Sequence, residues 1–130
     1  MSITPRKRPH ITQGHTRKIK TGCGNLYVTV NHDDKGLCEV FGKLGKSGGC
    51  ASAQLEGLCR MVSIALRCDV SLDELVEHLK GIRCVSSIYD DGQEVKSCAD
   101  AIGLVLEKEL HTEVASETPT DTKPTDAQGC

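Results

Sequence analysis

The clearest pattern of apolar and polar positions is the strict alternation of residues 26–31, a segment rich in β-branched and aromatic side chains. A period of two residues predicts a strand with one buried face. Turn-forming residues occupy 33–36, and residues 37–41 are apolar again, so the two segments are predicted to form a β-hairpin. Residues 11–20 have a weaker strand pattern. We therefore expect a small antiparallel sheet in the N-terminal half.

The second half of the pattern is helical. Residues 51–68 are apolar except for one narrow polar stripe, which predicts a central helix that is mostly buried. Ser71 followed by Glu74 is a capping box and starts a second helix, and Gly81 ends it. Ser97 is predicted to cap a third helix, after two short strands near 86–89 and 94–96. The fold class predicted from these elements is α+β, with a small antiparallel sheet packed against about three helices. The polar stripe of the predicted helix at 51–68 consists of Glu56, Arg60, Ser63 and Arg67.

Charge divides the 130 residues into a domain and two tails. Residues 1–9 are expected to form a flexible basic arm, residues 10–110 the folded domain, and residues 111–130 a disordered acidic tail. The arm could contact the phosphates of a nucleotide or nucleic acid, or it could be a solvated tail. Neither a membrane-spanning run nor a signal peptide is recognised, so a cytoplasmic protein without a membrane partner is expected.

Eight cysteines are many for a chain of this kind, and metal binding or thiol chemistry is favoured over a disulfide framework. Four of them lie beside a glycine or a cap residue at the end of a predicted element, where side chains can converge. Four thiolates would make a closed, structural zinc site. Their spacings of 27, 34 and 14 residues contain no CxxC motif, so free buried thiols or a redox pair remain alternatives. The four are Cys23, Cys50, Cys84 and Cys98; Cys38, Cys59 and Cys68 are interpreted as ordinary structural residues.

A glycine-rich segment at 42–50 precedes the central helix and suggests a phosphate-binding loop. The phosphate-loop pattern, however, requires glycine where Val40 stands. An anion could still bind at the N-terminus of the helix, or the glycines could serve close packing alone. The candidate anion-binding residues are Lys43, Lys46, Ser47, Gly48 and Gly49.

Four segments in the same order resemble the TSCPD domain, which occurs at the C-terminus of adenosylcobalamin-dependent (class II) ribonucleotide reductases and in small free-standing proteins. They are residues 14–31, 45–56, 79–84 and 97–102, and the resemblance spans about residues 8–108. The motif that names the family is altered, because residues 96–100 are Lys-Ser-Cys-Ala-Asp where Thr-Ser-Cys-Pro-Asp is expected. The Ser cap, the Cys and the Asp are kept.

The resemblance implies that Cys23, Cys50, Cys84 and Cys98 are the family's recurring cysteines. It favours a non-catalytic zinc-binding domain, with zinc preferred to an iron–sulfur cluster, acting as an accessory to ribonucleotide reduction or nucleotide metabolism. It does not imply reductase activity. The alternatives are a nucleotide- or phosphate-binding protein that uses the glycine loop, and a thiol-redox partner of a ribonucleotide reductase. In the redox case the C-terminal Cys130 could form a mixed disulfide. Expected partners are a reductase or another protein, with homo-oligomerisation left open.

Overall fold

A computed structural model describes residues 2–45 and 49–117, and these residues form two antiparallel sheets and three helices. The first sheet has the order β1–β2–β3 and the second has the order β4–β5. The predicted α+β class is confirmed. The strands are β1 (Gln13–Thr21), β2 (Gly24–Asp33), β3 (Gly36–Leu44), β4 (Ile88–Asp90) and β5 (Gln93–Val95), and the helices are α1 (Gly49–Arg67), α2 (Leu72–Leu79) and α3 (Cys98–Glu117).

The three-stranded sheet follows the predicted hairpin, with β2 paired to both neighbours. Thr29 lies opposite Thr16 on β1 and opposite Phe41 on β3. The inward side chains of β2, Leu26, Val28 and Val30, are fully buried, and the alternate residues face outward or lie at intermediate depth. The apolar alternation therefore predicted correctly which face of β2 is buried.

Helix α1 packs along β3, and here the structure corrects the prediction of a mostly buried helix. Its buried side chains lie on a single face, while Met61 and Ile64 are 63% and 40% exposed. Ser63, assigned to the wet stripe, is buried instead. Its hydroxyl accepts from Val40 N at 2.9 Å and donates to Val40 O at 3.2 Å. Both backbone groups of Val40, which lie on the free edge of β3, are therefore hydrogen-bonded.

Helices α2 and α3 pack against each other and complete the core. Ser71 caps α2 as predicted, with its hydroxyl accepting from Glu74 N at 3.3 Å. Helix α3 continues to Glu117, so the predicted acidic tail does not begin at residue 111; its remainder, 118–130, lies outside the described residues. Within the described part of the chain, no helix combines the length and apolar content needed to cross a membrane.

The basic arm predicted at residues 1–9 is docked on the domain through Arg6 and Arg8, which corrects the expectation of a flexible arm. Arg6 Nε lies 2.8 Å from the Asp33 carboxylate, and its backbone N–H donates to Arg67 O at 2.9 Å. Arg8 binds the buried Glu39 carboxylate with two nitrogens, at 2.6 and 3.0 Å. These two guanidinium groups are committed to carboxylates of the same chain, which leaves them poorly suited to binding phosphate.

Candidate metal centre

Cys23 sits in the tight turn between β1 and β2, and the turn is held together by Thr21. The buried Thr21 hydroxyl donates to Gly24 O at 2.8 Å and accepts from Cys23 N at 3.1 Å. The Thr21 side chain thus bonds to two backbone groups of the turn. The Cys23 side chain is left exposed at the end of the sheet.

Cys84 lies in the loop between α2 and β4, and this loop contacts the Cys23 turn. Cys84 N donates to Lys96 O at 2.9 Å, and Ser86 N lies 3.3 Å from Cys84 Sγ, in position to donate to the sulfur. A Cβ on Gly22 would overlap the Ser86 carbonyl group. Only glycine therefore lets the two cysteine loops approach this closely.

Cys98 is the first residue of α3, and side-chain hydrogen bonds of Ser97 and Asp100 connect the start of this helix to the loop that carries Cys84. The Ser97 hydroxyl donates to Ile82 O at 2.6 Å and accepts from Asp100 N at 3.0 Å. The Asp100 carboxylate accepts from Gly81 N at 2.8 Å and from Lys96 N at 2.9 Å. Asp100 is 2% exposed, so these backbone amides are the groups that compensate its buried charge.

Two of the other predicted cysteines, Cys23 and Cys84, are neighbours of Cys98 here. The Cys98 thiol lies 3.9 Å from Thr21 Oγ1, close enough for a weak hydrogen bond. Burial is the largest influence on the pKa of Cys98 and raises it above its ordinary value; a hydrogen bond to Thr21 opposes the rise, while the neighbouring Cys23 and Cys84 add to it. A cation bound beside the Cys98 thiol would act in the opposite direction and favour its thiolate form.

Cys50 is the member of the predicted set that the structure does not bring to the cluster. It is exposed as the second residue of α1, directly after residues 46–48, which the structure does not describe. Among the described residues, no group of three or more His, Cys, Asp or Glu side chains is arranged to hold a metal ion. The four-cysteine set therefore remains a prediction.

The other candidate residues divide into those described and those not. Cys38 and Cys59 are buried core residues as predicted, and burial raises the pKa of Cys59 to about 11. Lys43 is exposed on β3, and Gly49 begins α1. Lys46, Ser47, Gly48 and Cys130, proposed for anion binding or redox chemistry, lie outside the described residues.

Thr21 and Asp100 are the two site residues whose roles were missed from the sequence. Asp100 was recognised as part of the α3 cap, but its carboxylate reaches the amides of Gly81 and Lys96 instead. A usable signal was present, because threonine directly before a Gly-Cys-Gly turn is a residue type that bonds to nearby backbone.

The structure thus defines a small α+β domain with a cysteine cluster where a sheet turn, a loop and a helix start meet. Residues 3–110 match the TSCPD domain, and the chain belongs to that family. The match includes all three clustered cysteines and Cys50. No solved structure gives a significant match.

Curated relatives with significant similarity are vitamin B12-dependent ribonucleotide reductases. The chain is 24% identical to the protein of Streptomyces avermitilis over 148 aligned positions, which cover 96% of this chain and 15% of that protein. It is 27% identical to the protein of Streptantibioticus cattleyicolor over 105 positions, which cover 80% of this chain and 17% of that protein. The chain thus spans less than a fifth of the length of these relatives.

Proposed function

We propose that this protein is a non-catalytic, zinc-binding accessory domain that serves ribonucleotide reduction. The observation that supports it is that Cys23 and Cys84, from distant parts of the chain, are neighbours of Cys98, and that Thr21 bonds to both Cys23 and Cys98. Cysteine thiolates are ligands that zinc prefers, and a fourth cysteine closes such a site. Cys50 is the proposed fourth ligand, since it lies in the first turn of α1, at the end of the glycine-rich segment.

A bound zinc would supply structural cross-linking rather than chemistry. The domain has three aromatic residues, and its cluster joins the sheet, the α2–β4 loop and α3, so a metal there would stabilise the joint between them. The reductase relatives support a role beside ribonucleotide reduction, with a reductase as the proposed protein partner. Catalysis is not proposed for this chain.

The experiment is elemental analysis of the purified full chain together with single serine replacements. We expect about one zinc per chain, and loss of zinc with a lower unfolding midpoint for each of Cys23→Ser, Cys84→Ser and Cys98→Ser. Cys50→Ser tests the proposed fourth ligand. Cys68→Ser is the matched control, because Cys68 is half-buried and directly follows the C-terminal end of α1, the end opposite Cys50. Zinc content unchanged by any of the first three replacements would refute the proposal.

The proximity of Cys23 and Cys98 also supports a second candidate, a thiol-redox partner of a reductase. In that reaction two thiols of this chain would form a disulfide while a disulfide of the acceptor is reduced to two thiols. Thiol titration separates the two functions. A metal site masks its thiols until a chelator is added, whereas a redox pair reacts without chelator and is regenerated by thioredoxin.

A further inference from the structure

A cleft of about 800 Å³ lies between β3 and α1, and none of the three clustered cysteines lines it. Its floor is apolar, with Leu55 and Cys59 from the helix. Its rim carries two apolar side chains that are unusually open to solvent, Phe41 at 51% and Ile64 at 40%. A concave, largely apolar site of this size is typical of small-molecule binding.

The charges around the cleft favour an anion. Its two carboxylates are already neutralised, Glu39 by Arg8 and Glu56 by Arg60. Two further lining cations, Lys43 and Arg67, have no carboxylate partner within residues 2–45 and 49–117. Arg67 donates to Cys38 O at 3.0 Å, and the Lys43 side chain is exposed. The cleft therefore carries a net positive charge on an apolar floor.

The cleft also offers backbone hydrogen bonds at Gly42. Both backbone groups of Val40 bond to Ser63, so they face away from β2. In an antiparallel ladder the groups of residues two apart face the same way, which turns the N–H and C=O of Gly42 to the same open edge. No described side chain bonds to them, and Gly42 packs against Cys59 and Leu55, whose side chains lie 3.2 and 3.3 Å from the position of a Cβ built on it. One donor and one acceptor are thus available beside the Phe41 ring.

We propose that this cleft binds a nucleoside phosphate. The base would lie against the Phe41 ring with its edge toward the backbone of Gly42, and the phosphate would be bound by Lys43. Phe41 and Lys43 point to the same side of β3 and are separated by about 7 Å along the strand, a span that a nucleoside 5′-phosphate covers. An aromatic base with donors and acceptors and an anionic group matches the three features of the cleft. This site is independent of the proposed metal centre.

The test is titration of the full chain with AMP, GMP, CMP and UMP, followed by amide chemical shifts and calorimetry. At least one nucleotide should bind saturably and shift the Gly42 amide. Phe41→Leu should weaken that binding by about tenfold, as expected for loss of one stacked base. Lys43→Gln should weaken it severalfold and reduce its dependence on salt. Lys18→Gln, an exposed lysine of the same sheet that does not line the cleft, should leave it unchanged.

The controls distinguish other occupants. The matching nucleoside without phosphate should bind more weakly than the nucleotide, and inorganic phosphate should compete poorly. The proposal is overturned if no nucleotide binds at millimolar concentration, or if inorganic phosphate binds as tightly as the nucleotide. It is also overturned if Phe41→Leu and Lys43→Gln leave binding unchanged. If a ten-nucleotide oligodeoxyadenylate binds more than a hundredfold tighter than AMP, the ligand of the cleft is single-stranded nucleic acid and the proposal of a nucleoside phosphate is overturned.

Discussion

The Sγ atom of Cys98 on α3 lies 3.9 Å from Oγ1 of Thr21 at the end of β1, although the two residues are 77 positions apart in the chain. The same hydroxyl donates to Gly24 O and accepts from Cys23 N. One buried oxygen therefore connects the strand turn that carries Cys23 with the helix start that carries Cys98. The geometry of the candidate metal centre depends on this threonine.

Replacing Thr21 with valine should destabilise the protein by about 1–3 kcal/mol, because the Cys23 N–H and the Gly24 carbonyl lose their buried partner. Urea unfolding measures the cost, and competition with a zinc chelator measures metal affinity, which should fall in parallel. Thr21→Ser is the matched control, since it keeps the hydroxyl. Equal stabilities of the valine and serine variants would show that the hydroxyl has no organising role.

Gly22 is expected to be intolerant of any side chain. A Cβ at this position would overlap the Ser86 carbonyl, so Gly22→Ala should separate the Cys23 turn from the Cys84 loop and lower both stability and zinc content. Gly57 on the exposed side of α1 has open space around it, and Gly57→Ala should raise stability by about 0.5–1 kcal/mol. Thermal unfolding midpoints should show the opposite effects of the two substitutions on stability, a decrease for Gly22→Ala and an increase for Gly57→Ala. A neutral Gly22→Ala would contradict the close packing of the loops.

Local patterns predicted most of the secondary structure. The alternation at 26–31 and the Ser71–Glu74 capping box act within a few residues, and both appear as predicted. The short hairpin β4–β5 was predicted from turn residues in the same way, and the turn itself has Asp91 at φ 54°. Such features need no knowledge of distant partners.

The errors have a common physical origin, which is dependence on partners far along the chain. Ser63 looked like part of a wet stripe until β3 supplied both bonds for its hydroxyl. Arg6 looked like a solvated cation because Asp33 is 27 residues away. The glycine and cap neighbours of the cysteines predict the four-cysteine set, which stays a prediction; the structure places Cys23 and Cys84 near Cys98 but does not bring Cys50 to them. Asp100, which ties their loops together, could not be assigned without knowing that Gly81 and Lys96 lie beside it.

The Arg6–Asp33 ion pair should make the protein sensitive to acid. A hydrogen bond from Arg6 is the largest influence on the pKa of Asp33 and lowers it, and burial opposes the shift. A lowered folded-state pKa stabilises the fold above the ordinary aspartate value of about 3.9, and this stability is lost as the pH falls through the folded-state value. Urea midpoints measured from pH 6 to pH 3 should therefore fall less steeply for Arg6→Gln than for the parent.

Arg6→Gln should also cost about 2 kcal/mol at neutral pH, since the buried Asp33 carboxylate loses a charged donor. Lys7→Gln is the matched control, because Lys7 is exposed and has no ion pair among the described residues. The expectation fails if Arg6→Gln and Lys7→Gln give parallel stability curves between pH 6 and pH 3.

Cys59 should make the protein sensitive to alkali. Burial raises its pKa to about 11, so the folded state keeps the thiol protonated after the unfolded chain has lost the proton near 8.5. Stability should accordingly decline as the pH rises from about 9 toward 11. Cys59→Ala should have a lower stability at pH 7, because it removes a packed sulfur, but a shallower decline at high pH. Parallel curves for Cys59→Ala and the parent would contradict the burial of the thiol.

The buried carboxylate of Glu109 is expected to stabilise the contact between α3 and β1. This carboxylate, 1% exposed on α3, lies 2.6 Å from His15 Nε2 and 3.2 Å from Arg17 Nε on β1, and so joins the helix to the edge of the sheet. Glu109→Gln should cost about 1–3 kcal/mol in urea unfolding, because Arg17 loses its charged partner, whereas Lys108→Gln on the exposed side of the helix should cost little. A double-mutant cycle with Arg17→Gln isolates the pair and should give a coupling energy of about 1 kcal/mol. Additive effects of the two substitutions would mean that Glu109 contributes through packing rather than through its charge.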